Sequence, residues 1–268
     1  MGEGAVEDAG RLVATRRESV LELAITNPGA RNALSPAMYA DGLRAFGEAS
    51  ADPAVRAVML HGTDGFFCAG GNLNRLLANR ARPPEHQRSS VEQLNRWVLA
   101  IRDCPKPVVA AVEGAAAGAG FSLALACDLI VAARDAKFVM AYARVGLSPD
   151  GGAIAALAAS LPPQRVFALS ALAEPVSTAE LHAAGIVHHV SEPARTLADA
   201  RALCDRLAQG PTAVYGRIKR LLQQAPRRAP AEHLAAERDA FVESLQGEDA
   251  GEGIGAFLAK RPAQFKGA

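Results

Sequence analysis

One turn in this chain carries a carboxylate where chemistry could use it. In "GLSPDGGA", residues 146–153, Pro149-Asp150-Gly151 is a strong turn signal. Asp150 either caps the helix predicted by "AIAALAAS" or stands on a loop open to a substrate, as a general acid or base. Two stretches of small residues complement it. "FFCAGGN", Phe66 to Asn72, follows an apolar strand, and Gly70 and Gly71 reach backbone angles closed to other residues. "AAAGAGFSLALACD" sets Gly118-Ala119-Gly120 ahead of a run of helix formers. The first turn of a helix has unpaired N–H groups and positive partial charge. Taken singly, each stretch reads equally as a tight turn or as close helix–strand packing. Taken together, they can aim the N–H groups of Gly71 and Ala119 at one carbonyl oxygen. That is an oxyanion hole, in which each donor is worth about 3–4 kcal/mol of barrier.

Other reactive residue types are less organised. "GFSLA" is similar to a nucleophile elbow with Ser122 as nucleophile, but an elbow needs a strand running straight into the serine, and "VVAAV" stops well before it. His182, His188 and His189 lie in "HAAGIVHHVSEP". Adjacent histidines on a strand point to opposite faces, so no shared metal is expected. His86, in the polar run "RPPEHQRSS", is read as a surface-loop histidine that could act as an acid or base near a site. Cys68, Cys104, Cys127 and Cys204 are far apart and form no C-x-x-C, which points away from zinc or disulfides and toward a reducing cytoplasm. Neither G-x-G-x-x-G nor a P-loop is present, so no nucleotide cofactor is expected.

The elements that must position these groups alternate. "RLVATRRESVLELAITNP" reads as a hairpin about Arg17-Glu18, with Leu21, Leu23 and Ile25 on one face. "SPAMYADGLRAFGEAS" opens a helix with Ser35 as N-cap and Pro36 first in the helix. "VRAVMLHG" and "KPVVAAVEG" are buried strands, "SSVEQLNRWVLAIRDC" is an amphipathic helix ended by Pro105, and "CDLIVAARDAKFVM" holds two more strands. This recurrence predicts an α/β domain. After about Arg195 only helical patterns follow, so a core over 1–194 and a helical region over 195–268 are expected.

The chain's 268 residues and 50% hydrophobic content allow a sizeable core. Lys+Arg 29 against Asp+Glu 28 gives no electrostatic case for nucleic acid or an anionic membrane. The start, "MGEGAVEDAG", is acidic and lacks the apolar stretch of a signal peptide. The apolar run from Val108 to Cys127 is as long as a membrane span, but Glu113, Gly114, Gly118 and Gly120 break it into strand, loop and helix.

"FFCAGGNL", "KPVVAAVEGAAAGAGFSLALACDLIVAARDAKF", "VGLSPDGG" and "GIGAFLAKRPAQF" together resemble the crotonase (enoyl-CoA hydratase/isomerase) superfamily, from about Leu12 to Phe265. The resemblance implies a ClpP/crotonase-like α/β fold: a spiral core of repeated ββα turns and a C-terminal helical trimerisation region. It implies a homotrimer or dimer of trimers acting on acyl-coenzyme A, with no separate cofactor and no metal. It places the oxyanion donors on Gly71 and Ala119, where the second is usually glycine. It places coenzyme A contacts at Arg31, Ala69, Phe257 and Lys260, the last two often reaching a neighbouring subunit's coenzyme. Ser122 and Tyr142, with His86, fall in the acyl pocket.

Ser122 and Tyr142 stand where hydratases of the family carry two glutamates holding a water. Neither is a general base at neutral pH. With Asp150 left as acid/base, "SPDGG" resembles the isomerase branch linked to phenylacetate degradation and its alternative oxepin-CoA hydrolase relatives. The expected reaction is double-bond migration in an unsaturated or ring-derived acyl-CoA, in fatty or aromatic acid degradation. Hydratase or oxepin-CoA hydrolase activity is the alternative. An aryl-CoA dehalogenase or thioesterase using Asp150 and His86, and a serine hydrolase at Ser122, are the remaining readings. A glutamate at position 122 is expected to introduce hydratase activity.

Overall fold

The computed structural model describes residues 10–267, so the acidic start lies almost wholly outside the described residues. β1 (Arg11–Arg17) and β2 (Val20–Thr26) form the expected antiparallel hairpin, Arg17 opposite Val20, with Glu18 in the left-handed region at φ 52°. α1 (Pro36–Ala51) starts as the sequence predicts. Ser35 accepts the Met38 N–H, and Pro36 occupies the first turn, where no N–H is needed. β3 (Ala57–Gly62) then pairs parallel with β2.

α2 (Leu73–Asn79) and α3 (Pro84–Asp103) connect β3 to β4 (Val108–Val112). After β4 come β5 (Ala115–Ala117), α4 (Ala119–Ala126), β6 (Leu129–Ala133) and β7 (Lys137–Val139). A 3-10 turn at Ala141–Val145 precedes α5 (Ala153–Ala158), α6 (Pro163–Ala171), β8 (Val176–Ser177), α7 (Thr178–Ala183) and β9 (His189–Ser191). The chain ends in α8 (Thr196–Ala208), α9 (Thr212–Gln224), α10 (Pro230–Leu245) and α11 (Glu248–Leu258). No helix among the described residues is long and apolar enough to cross a membrane.

The main sheet runs β1-β2-β3-β4-β6-β9, parallel beyond its first hairpin, and β5-β7-β8 form a second small sheet. β3 and β4 are buried on both faces, which explains their unbroken apolar runs. On one face Leu60, Val108 and Val112 meet Phe46 of α1 and Trp97 of α3. The two helices approach closely because Gly42 has no side chain: a Cβ there would lie 2.4 Å from the Trp97 indole. On the other face Met59, Val109, Ala111 and Val131 pack on Ala200, Leu203 and Cys204 of α8. The first helix beyond residue 194 is therefore a layer over the sheet, and the later helices lie outside it.

The polar run around His86 is not the surface loop its composition suggests. Pro84 opens α3, and Glu85 in the first turn complements the positive helix end. His86 lies in that turn, exposed, with its Nε2 3.0 Å from Arg82 Nη1.

Candidate active site

The loop after β3 is strapped on both sides. Phe67 N–H donates to Glu113 O at 2.9 Å, Cys68 N–H to Ala115 O at 3.1 Å, and Ala117 N–H to Cys68 O at 2.9 Å. On the other side Ala69 N–H donates to Arg31 O at 3.0 Å, and Leu34 N–H to Gly70 O at 2.7 Å. Asn32, buried and left-handed at φ 56°, donates through Nδ2 to Thr63 O at 3.0 Å and Phe66 O at 2.6 Å. Asparagine tolerates that backbone region and supplies the side-chain bonds that hold it there.

These straps set a register. Cys68 pairs in parallel with Ala116, and Gly71 with Leu34. Gly70 has φ +88°, and a Cβ on it would lie 2.6 Å from Ala117 O and 3.2 Å from Ala119 N. Only glycine allows that approach. Gly118, at φ 51° and ψ −127°, starts α4 in a conformation closed to side-chain-bearing residues. Ala119 is 5% exposed. Within the described residues neither the Gly71 N–H nor the Ala119 N–H donates to the chain.

Asp150 does not cap α5. Gly152 is the N-cap, with no side-chain bond. The Asp150 carboxylate instead accepts the Tyr142 hydroxyl at Oδ1, 2.7 Å away. Its backbone oxygen accepts Ser122 Oγ at 2.9 Å. Gly151, at φ +63°, packs on Ser122, and a Cβ there would lie 2.8 Å from Ser122 Cβ. The Tyr142 ring lies against Gly118, its Cζ 3.7 Å from where a Cβ would stand. Asp150 is thus held beside the first turn of α4 through Ser122 and Tyr142. Burial pushes its carboxyl above the ordinary aspartate range, and the Tyr142 hydrogen bond offsets part of that rise. Burial first, and then the charge of Asp150, push the Tyr142 phenol up, so Tyr142 is a neutral donor at physiological pH.

Ser122 is buried in α4, and its proton goes to the Asp150 carbonyl. No histidine among the described residues hydrogen-bonds to it, so the elbow arrangement is not built. Gly151 packs against Ser122, and the Ser122–Asp150 bond would be lost in the glutamate variant expected to add hydratase chemistry. Arg31 and Ala69 lie beside the oxyanion loop through their shared hydrogen bond, with the Arg31 side chain exposed. Phe257, 83% exposed at the end of α11, and Lys260, exposed just beyond it, have no hydrogen bond or ion pair to the site residues.

Sequence reasoning missed Asn32, the Tyr142–Asp150 bond and Tyr39. The Tyr39 hydroxyl accepts from Arg75 Nη2 at 3.3 Å, and the charge of Asp150 raises its own titration, though less than burial does. Asn32 left a faint signal as an αL-tolerant residue just before the apolar "AL". Tyr142 and Asp150 are eight positions apart across irregular backbone, which no periodicity connects.

The profile of the enoyl-CoA hydratase/isomerase family matches residues 15–268. The chain belongs to that family. This family member is 36% identical over 252 residues to 1,2-epoxyphenylacetyl-CoA isomerase of Escherichia coli, covering 93% of this chain and 96% of the relative. It is 32% identical to 2,3-dehydroadipyl-CoA hydratase of the same organism over 263 residues, covering 96% and 98%. Among solved structures, an enoyl-CoA hydratase from a Polaromonas species superposes with a TM-score of 0.94 at 46% identity, covering 96% of this chain and all of that one. The fold is the crotonase fold, and the protein is an acyl-CoA enzyme of the hydratase/isomerase family.

Proposed function

We propose that this family member moves a carbon–carbon double bond within an unsaturated or ring-derived acyl-CoA, with Asp150 as the proton carrier. One observation carries the reading. Among the described residues, the carboxylate held beside the α4 N-terminus is that of Asp150, flanked by a serine and a tyrosine that are both hydrogen-bonded to Asp150 itself. Hydration needs an activated water and a proton donor on a second group. Isomerisation needs one base that takes a proton and returns it.

In the proposed mechanism the thioester oxygen accepts the N–H groups of Gly71 and Ala119. Asp150 removes a proton from the carbon next to the carbonyl. The C–H electron pair passes into a dienolate whose oxygen charge the two amides stabilise. The proton held by Asp150 then returns two carbons along, re-forming the carboxylate. The upward-shifted carboxyl is a stronger base than a solvated aspartate, which suits this step.

Arg31 and Ala69, beside the loop, are assigned to coenzyme A. Phe257 and Lys260 are exposed and make no bond to this subunit's loop, which supports their reaching the coenzyme of a neighbour. The exposed apolar side chains of Leu222, Leu234, Phe241, Ile254 and Leu258 support self-association through the helical region, as a trimer or dimer of trimers. A cytoplasmic location fits the reduced, scattered cysteines. Use of His86 as a hydrolytic partner finds no support in its exposed place on α3.

The test is incubation with β,γ- and α,β-unsaturated acyl-CoA esters and an aryl-CoA, with products read by mass and NMR. A β,γ-hexenoyl ester is expected to rearrange at constant mass. Asp150→Asn is expected to lose on the order of 10²–10⁴-fold in kcat while still binding acyl-CoA. A product heavier by one water, or an Asp150→Asn variant of full activity, would overturn the reading.

A further inference from the structure

The geometry points to Tyr142 as the positioning residue for Asp150: its hydroxyl holds Oδ1 and leaves Oδ2 to face the substrate. This rests on the isomerase reading only in giving Asp150 a proton to carry.

The observations converge on the side chain's setting. Tyr142 is 9% exposed, and its ring lies against Gly118. From there the hydroxyl lies 2.7 Å from Asp150 Oδ1. Ser122 Oγ holds the backbone oxygen of the same residue at 2.9 Å, so main chain and carboxylate are both held. Oδ2 accepts no bond from another described residue. A carboxylate that must take a proton at one carbon and return it at another gains from being fixed at one oxygen and free at the other.

The groups that bear on Asp150 come from several elements. The 3-10 turn gives Tyr142, and α4 gives the uncharged Ser122. α1 gives Tyr39, whose hydroxyl accepts from Arg75 of α2. α3 gives the apolar Leu94, close to Gly151. Among these Tyr142 donates directly to the carboxylate. Donation favours the ionised form, so removing the hydroxyl moves Asp150's titration to higher pH, and a stronger donor moves it lower.

Two variants test this while keeping the ring: Tyr142→Phe, and replacement of Tyr142 by difluorotyrosine, a stronger donor. The carboxyl carbons of aspartate are labelled with ¹³C and titrated by NMR in the free enzyme, with Asp150→Asn identifying the Asp150 signal. The expected midpoint rises in Tyr142→Phe and falls in the difluorotyrosine protein. The acidic limb of kcat/KM for β,γ-hexenoyl-CoA is expected to move the same two ways. In Tyr142→Phe, kcat is expected to fall ~10- to 100-fold, the scale of one charge-assisted hydrogen bond. Midpoints that stay put, or shift together in one direction, overturn the proposal, as does a lower kcat with an unmoved limb. If Asp150→Asn isomerised at the full rate, Asp150 would not be the proton carrier of the proposed function, while the NMR titration would still decide whether Tyr142 holds it.

Discussion

At the scale of single residues, the site is a set of prohibitions on side chains. Gly70 at φ +88° lies where a Cβ would touch the Ala119 amide, so Gly70→Ala adds backbone strain and obstructs the donor at once. The expected loss is about 10²–10³-fold in kcat, the scale of one removed oxyanion donor. Coenzyme A affinity, measured by calorimetry, is expected to change little. Ser122→Glu tests the other wall. Ser122 Oγ holds the Asp150 backbone oxygen and Gly151 packs on Ser122, so a glutamate would break that bond and disturb the turn that carries Asp150. The expected outcome is loss of isomerase activity with no hydration, read from product mass. Efficient hydration would show that the turn can yield without losing its chemistry.

How much of this was legible differs from residue to residue. Gly71, Ala119 and Asp150 could be singled out as candidates because turn and helix-start chemistry is written in small residues and local spacing. The Tyr142 hydroxyl could not, because its partner is set by the path of an irregular segment. The helix-cap role open to Asp150 failed because Gly152 takes the cap position and the carboxylate finds the Tyr142 hydroxyl instead. His86 was misplaced because a polar composition says little about backbone once Pro84 and Glu85 supply a helix start.

At the scale of elements, the site depends on how firmly strands and helices are tied together. Hairpin, strands and the α1 start followed from alternation and capping, since those signals are local. The layer formed by α8 was not separable from the helices after it, because an amphipathic pattern names a buried face but not its partner. The clearest tie from the outer helices to the core is Lys219 of α9. Its Nζ donates to Asp128 Oδ2 at 2.8 Å and to Ile101 O at 2.9 Å. Burial is the main force on Asp128 and pushes its carboxyl up, with Lys219 pulling it back. Removing one partner of a buried pair typically costs about 3–5 kcal/mol. Asp128 keeps 27% of its side chain exposed, so Lys219→Ala is expected near the lower end, on the order of 3 kcal/mol by denaturant unfolding. A change within about 0.5 kcal/mol, typical of a surface substitution, would show that α9 is not anchored there.

At the scale of the whole molecule, the tail is stitched back onto the core. Arg56 donates to Lys266 O at 2.7 Å and to Gly210 O at 2.6 Å, while Asp249 accepts the N–H groups of Lys266 and Gly267 at 2.7 and 2.8 Å. With the tail held, α10 and α11 present their apolar side chains outward, Phe241 at 68% and Leu258 at 76% exposure. Large apolar side chains left exposed in this number on the outer helices predict assembly. Analytical ultracentrifugation is expected to give a trimer or its double, and Phe241→Glu is expected to shift the mass toward a monomer. A monomeric wild type would remove the reason for these exposed apolar side chains and for assigning Phe257 and Lys260 to a neighbour's coenzyme.

The central claim is that two backbone amides grip a thioester oxygen as charge develops on it. Difference Raman spectroscopy of bound hexanoyl-CoA, ¹³C-labelled at the carbonyl, tests this without turnover. The account predicts a carbonyl stretch at lower frequency in the wild type and in Asp150→Asn, and a shift largely lost in Gly70→Ala. A stretch at its solution frequency in the wild-type complex would contradict it.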